Sequence, residues 1–409
     1  MSHFITRPLS DFVGQDVDLN DVAGNEGQLF VRDGIGFAGT GPVVQVPLGE
    51  VAGWLASSTT DDTVHAPGST GMAFGAHPFL AEGGYAVIPQ VCVGKDAVNQ
   101  PWVTVRCESK RNNVDALEGI VATALARAPS VSSLPASFTV QPGVPVAHYL
   151  HAVETARQAV RSGAITKAVI ARDIVVESSQ PIDVHALLKR LKASFGSSYR
   201  YSIDGFVGAS PELLVSRLHD SVASHPLAGT TPRTGDPDTD QRLAGALRAS
   251  SKNQIEHRVV IDMVHETLLP WCSYLDWQPE PDVIAVANVQ HLGTRIEGKL
   301  SQPLPHVLDL VRALSPTPAL GGAPRDAALA LIAAHEGIDR GLYGGAVGWC
   351  DRDGNGTWAV AIRCAALSPD RRSARLFAGG GIVADSEPLA ELAETQAKFQ
   401  AMLAAIVRP

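Results

Sequence analysis

The chain has 409 residues, of which 45% are hydrophobic and 18% charged, and a net charge of −9. That composition suits a globular protein with a sizeable core, of two or three ordinary domains or one large layered one. The negative balance argues against a general nucleic-acid or anionic-membrane surface, but not against a local basic pocket for a small acid.

Cys92, Cys107, Cys272, Cys350 and Cys364 form no C-x-x-C pair, which points to a reducing, cytoplasmic compartment and no zinc site. The opening MSHFITRPLSDF lacks a basic then apolar leader, and no run of about 18 apolar residues is present, so neither a signal peptide nor a membrane span is expected. Residues 1–125 read as short strands broken by glycine: GQLFVRDGIGFAG, PVVQVPLGEV, GYAVIPQVCVG and WVTVRCES. The Pro- and Ser-rich stretch 126–145 reads as a surface loop or a boundary.

From there the pattern alternates. VAHYLHAVETARQAVRSG is a helix closed by Gly163, AITKAVIARDIVVE a strand, and DVHALLKRLKASFG a helix. YRYSIDGFVGASPELLVSRL reads as two strands around a turn. SSKNQIEHRVVIDMVHETLLPWC is a long helix with Ser250 or Ser251 as N-cap. More strands follow in DVIAVANVQHLGTRIEGKL, a hairpin in AVGWCDRDGNGTWAVAIRCAAL, and a last strand, ARLFAGGGIV, before the final helix. Without a strict βαβ period, this predicts a mixed, layered α/β fold.

DRDGNG, from Asp351, resembles the start of an EF-hand loop, but the twelfth position is Ile362 instead of glutamate and the flanks are not helical, so a hairpin turn is expected. AGGGIV lacks the G-x-G-x-x-G spacing of a dinucleotide loop, and there is no Walker loop.

Glu391, Glu394 and Lys398 share one face of the final helix, with Ser386 as its expected cap. They suit either a solvated acidic turn, favoured by the helix dipole, or half of a metal site. Glu256 on the long helix offers a second carboxylate of the kind Mg²⁺ takes, and Asp262 or Glu266 is available to satisfy His257. Lys167 interrupts an apolar strand: it either snorkels outward or pairs. Glu212, among apolar neighbours after a turn, either faces water or carries a raised pKa that suits a general acid.

VGASPELLVSR, HPLAGTTPRTG, SSKNQIEHRVVIDMV, VQHLGTRIEGKL, LSPTPALGGAP, LYGGAVGWCDRDGNGTWAVAIRCA and RLFAGGGIVADSEPLAELAETQAKF occur in this order. Together they closely resemble the chorismate-utilising enzymes: isochorismate synthase, salicylate synthase, anthranilate synthase component I and aminodeoxychorismate synthase. The resemblance implies one large α/β domain over residues 1–409, with core β-sheets flanked by helices. Residues 1–135 would be its variable part and 140–405 the signature-bearing catalytic part. It implies Mg²⁺ held by Glu256 and Glu394, with Glu391 reached through water. Lys167 would be the general base that activates water, and Glu212 the general acid. Arg363 and the amides of Gly379, Gly380 and Gly381 would hold substrate carboxylates, Lys398 would lie beside the ring carboxylate, and His291 and Tyr343 would line the pocket. Asn253 stands where the family often has an acid, which implies weaker Mg²⁺ binding.

Three positions select among the members. Ala228 replaces the lysine of the aminodeoxychorismate synthases, Lys167 suits water as nucleophile instead of ammonia, and Ala319 stands where the lyases usually have threonine. The resemblance therefore implies isochorismate synthase activity, with salicylate synthase as the alternative. The partner expected is chorismate alone, with no nucleic acid or membrane and a monomeric chain. A neutral Lys167 is expected, and the product would feed menaquinone, siderophore or salicylate synthesis.

Overall fold

The computed structural model describes residues 2–14, 17–80, 83–97, 100–108, 114–126 and 137–408. Among these residues, twenty strands join in one extended sheet, and three form a smaller one from Leu227–Pro232, Asp282–Val286 and Val289–Gly293. This is the mixed α/β architecture expected from the interleaved pattern. The first third is woven into the same sheet as the rest. Gln28–Arg32 lies antiparallel to Tyr199–Ile203, and Met72–His77 to Ala346–Asp351.

Local sequence accounts for the elements around the site. In the helix Val184–Phe195, Val184, Leu187, Leu188, Leu191 and Phe195 are buried at helical spacing, Asp183 accepts from the Ala186 N–H, and Gly196 follows at φ 52°. Each of these leucines contributes roughly 1.5–3 kcal/mol by leaving water. The strand Lys167–Ser178 is buried along nearly its whole length, and the charged residues that interrupt its apolar run are partnered: Arg172 by Thr395 and Gln396, and Asp173 by Arg375. Ser373–Ile382 pairs with it on one side. On the other side lie Gly322–Ala323 at its start and Phe138–Pro142 at its end.

Several expectations are corrected. Residues 199–218 form three strands instead of two, Tyr199–Ile203, Phe206–Ser210 and Leu213–Leu218, because Pro211 cannot donate to a ladder. The segment 346–367 holds the expected hairpin, Ala346–Asp351 with Gly356–Val360. The chain then breaks at Arg363, which sits at φ 52°, and Cys364–Leu367 becomes a separate strand beside Phe206–Ser210. In the proline-rich stretch, residues 127–136 lie outside the described residues, while Phe138–Pro142 is a strand and not a loop. The helices Pro237–Ala249, Val307–Leu314 and Arg325–His335 were not foreseen.

Asp351 closes the hairpin turn by accepting from the Asp353 and Asn355 N–H groups, which fits the turn and not a calcium loop. Among the described residues, no helix is long and apolar enough to cross a membrane.

Candidate active site

A cavity of about 280 Å³ is lined by the Lys167–Ser178 and Ser373–Ile382 strands, by the helices Ser251–Leu268 and Pro388–Val407, and by the turns before Leu213 and after Val360. Lys167, Glu212, Glu256, His291, Ala319, Tyr343, Arg363, Gly379, Gly381, Glu391, Glu394 and Lys398 all face it, as does Asn253. Residues up to 231 positions apart in sequence thus meet in one place, from Lys167 to Lys398.

Gly380 is the exception among the glycines named. Ala171 donates its N–H to Glu336, Val169 donates to Gly321, and Gly379 accepts from Lys398. The Gly379–Ala171 and Gly381–Val169 pairs are therefore the non-hydrogen-bonded pairs of this antiparallel ladder, and Gly380 spends its backbone groups on Ile170. A Cβ at Gly381 would meet the Lys167 side chain at 2.6 Å, and one at Gly380 would meet the Glu391 carboxylate at 2.6 Å. A side chain at either position would have to displace one of these two charged groups.

The carboxylates and ammoniums are interleaved. Lys167 Nζ lies 2.5 Å from Glu256 Oε1, and Lys398 Nζ lies 2.6 Å from Glu394 Oε1 while donating to the Gly379 carbonyl at 2.7 Å. Lys167 neither snorkels outward nor stands alone. Burial pushes the Glu394 carboxyl up, but Lys398, His291 and Arg363 outweigh it and hold the group below the usual carboxylate range.

Glu391 accepts from the Ser386 hydroxyl at 2.8 Å. Ser386 is thus not the helix cap: that position is Glu387, with Pro388 opening the helix, and Ser386 fixes a glutamate instead. Ser250 does cap the middle helix, accepting from the Asn253 N–H. His257 meets the Thr294 hydroxyl through Nε2 at 2.8 Å and no neighbouring acid, Asp262 being paired with Arg258, while its buried Nδ1 has no hydrogen-bond partner.

Glu212 is 2% exposed, and its Oε1 has no hydrogen-bond partner. Burial pushes its pKa up to about 8, against the Leu227 N–H and Lys167, which both favour the carboxylate. His291 is driven the other way: burial, then the charges of Arg363 and Lys398, take it down to about 3. A neutral ring donates from Nδ1 to the Gly229 carbonyl at 3.2 Å, which leaves Nε2 to accept from Arg363 Nη2 at 3.4 Å. Arg363 is thereby aimed by a neutral acceptor that competes little with an anionic ligand.

Tyr343 stacks on Phe377 with ring centroids 5.2 Å apart. Phe377 and Thr230, which approaches His291 Nδ1 at 3.2 Å, are site residues that the motif reading missed. Two-residue alternation from Gly379 and Gly381 points to Phe377.

Residues 79–407 match the family described as chorismate binding enzyme. A Mycobacterium tuberculosis protein provisionally named as an isochorismate synthase is 45% identical over 275 residues, covering 64% of this chain and 74% of its own length. The isochorismate synthase DhbC of Bacillus subtilis is 42% identical over 269 residues, covering 63% and 67%. The crystal structure of a Bacillus anthracis protein, provisionally a 2,3-dihydroxybenzoate-specific isochorismate synthase, superposes with a TM-score of 0.77 at 31% identity, covering 95% of this chain and 98% of that one. With the signature blocks gathered around one cavity and the match running through nearly all of them, the chain belongs to the chorismate binding enzyme family.

Proposed function

We propose that the chain is an isochorismate synthase, interconverting chorismate and isochorismate. The observation that carries this reading is Glu212: a buried carboxyl with an orphaned oxygen and a pKa near 8, on the same cavity as Lys167. A carboxyl that keeps its proton at neutral pH is an acid ready to act.

Glu212 gives its proton to the 4-hydroxyl of chorismate, which leaves as water. Lys167 takes a proton from the water that adds at C2, and the ring double bonds shift. One water enters and one leaves, so the reaction is an isomerisation. Arg363, steadied by His291, and the amides facing away from the Lys167–Ser178 strand at Gly379 and Gly381 receive the substrate carboxylates.

Glu256, Glu391 and Glu394 supply only hard oxygen donors, and among the described residues no three His, Cys, Asp or Glu side chains converge as a preformed metal cluster. That set fits Mg²⁺, which takes few carboxylates and completes its shell with water and substrate oxygens. Glu256 and Glu394 would hold the ion, with Glu391 beside them, and the bound ion would neutralise a substrate carboxylate. Asn253, one turn before Glu256, contributes no negative charge to it.

The test is to incubate the protein with chorismate and Mg²⁺ and quantify isochorismate, salicylate and pyruvate by chromatography. Isochorismate as the main early product is expected. Salicylate and pyruvate as main early products overturn the reading in favour of a lyase.

The wall residue Ala319 gives a second expectation. It offers a methyl and no hydrogen bond, whereas threonine adds a hydroxyl and fills more of the pocket. Pyruvate elimination needs the enolpyruvyl side chain placed to accept the C2 hydrogen, and small displacements have large rate effects. Ala319→Thr is expected to lower isochorismate formation and raise salicylate plus pyruvate without loss of fold. Unchanged products from the variant would remove Ala319 from the choice of product.

A further inference from the structure

The strand that carries Lys167 has a gap on one side. Ala323 and Gly322 pair with Lys167 and Ala168, and Pro142 resumes the pairing at Ile174. Between them Gly321 accepts from the Val169 N–H, Gly143 donates to the Asp173 carbonyl, and two further ladder groups go to side chains of one ion pair. Arg340 Nη2 donates to the Val169 carbonyl at 2.7 Å, and Glu336 Oε2 accepts from the Ala171 N–H at 2.7 Å. Arg340 also donates to the Leu320 carbonyl at 2.9 Å, the residue after Ala319.

The two side chains grip each other through two contacts of 2.6 and 2.5 Å and are each 2% exposed. The guanidinium lies 4.1 Å from the Phe79 ring centroid and 5.8 Å from that of Tyr343. Val169, Leu320 and Tyr343 line the cavity, whereas Glu336 and Arg340 do not.

We infer that the buried Glu336–Arg340 pair is a positioning device, standing in for a missing strand and fixing the Lys167 strand against the Ala319–Leu320 wall. A buried ion pair is a weak source of stability, because desolvation offsets most of the attraction. Here its bonds run outward into segments that carry the base and the pocket wall. It therefore sets the spacing between them, and through it both rate and product. The inference rests on the isochorismate synthase reading above.

The test compares wild type, Arg340→Lys and Glu336→Gln. Lysine keeps the charge but loses the fork that reaches two carbonyls and the carboxylate at once. Glutamine keeps the shape and carries the same readouts if the lysine variant does not fold. Expected for a folded variant is a kcat about 10- to 100-fold lower, a KM within about threefold, and a larger share of salicylate plus pyruvate. The product share is independent of how much enzyme is folded. A variant with wild-type kcat and product share overturns the inference, as does a lowered melting temperature with unchanged product share. Amide hydrogen exchange at Val169 and Ala171 is read without turnover and is expected to speed up at least tenfold. Absence of isochorismate from the wild type would defeat the functional reading, and the exchange rates would then judge the brace alone, with unchanged exchange overturning it.

Discussion

Glu212→Gln is expected to lower kcat by about 10² to 10⁴ with little change in substrate binding, the usual worth of a general acid. The amide fills the same space and still accepts from the Leu227 N–H, but carries no proton to give. The wild-type rate should also fall on the alkaline side, as pH rises through about 8 and Glu212 ionises. Lys167→Ala should cost a similar factor and also strips Glu256 of its counter-charge.

Stability gives a reading of Glu212 that needs no substrate. The carboxyl ionises near 4.5 when unfolded and near 8 when folded. Below the first value both states are protonated and nothing is lost. Between the two, only the unfolded state releases its proton, and folding loses roughly 1.4 kcal/mol per pH unit. The wild type should therefore weaken relative to Glu212→Gln as pH rises from about 4.5 to 8, by about 3 kcal/mol at pH 7. Denaturant melts across that range check it. A variant within about threefold of wild-type kcat would remove Glu212 from the acid role.

Removing divalent cations is expected to abolish turnover, and added Mg²⁺ to restore it. Charge supports this. Three glutamates and a dianionic substrate bring five negative charges to the cavity, while Lys398 and Arg363 bring two positive ones and a base at Lys167 brings none. A divalent cation offsets most of the difference. Glu394→Ala removes one of the carboxylates proposed to hold the ion and the ion-pair partner of Lys398, so activity should be lost and calorimetric Mg²⁺ binding weakened. Full activity in excess chelator would sink the metal assignment.

Much of this site was legible in the sequence because its parts break local rules. A lysine in an apolar strand, a glutamate among leucines and glycines at 379 and 381 each need a tertiary reason, and the cavity supplies one for all of them. What was not legible depends on partners distant in sequence. Ser386 looks like an N-cap, yet it serves Glu391. His257 sits beside acids in sequence but finds Thr294, 37 residues on. Gly380 differs from its neighbours only through the register with Ile170, which no spacing within the strand reveals. Among the fold elements, Phe138–Pro142 was hidden because four of its five residues are exposed, so no apolar alternation marks it.

The pairing of Ser373–Ile382 with Lys167–Ser178 also has a consequence for how the chain is made. Arg375 and Asp173, which form a salt bridge across that ladder, are 202 residues apart. Because synthesis runs from the N-terminus, the Lys167 strand emerges long before its neighbour exists. While residues 179–372 are made, one edge of a strand built for burial has no mate. Such non-local pairing closes late and slowly. The cavity is therefore among the last regions to form, and a ribosome that stops before residue 373 releases a chain with an open sheet edge in its middle. Loss of the last forty residues would therefore cause aggregation as well as inactivity.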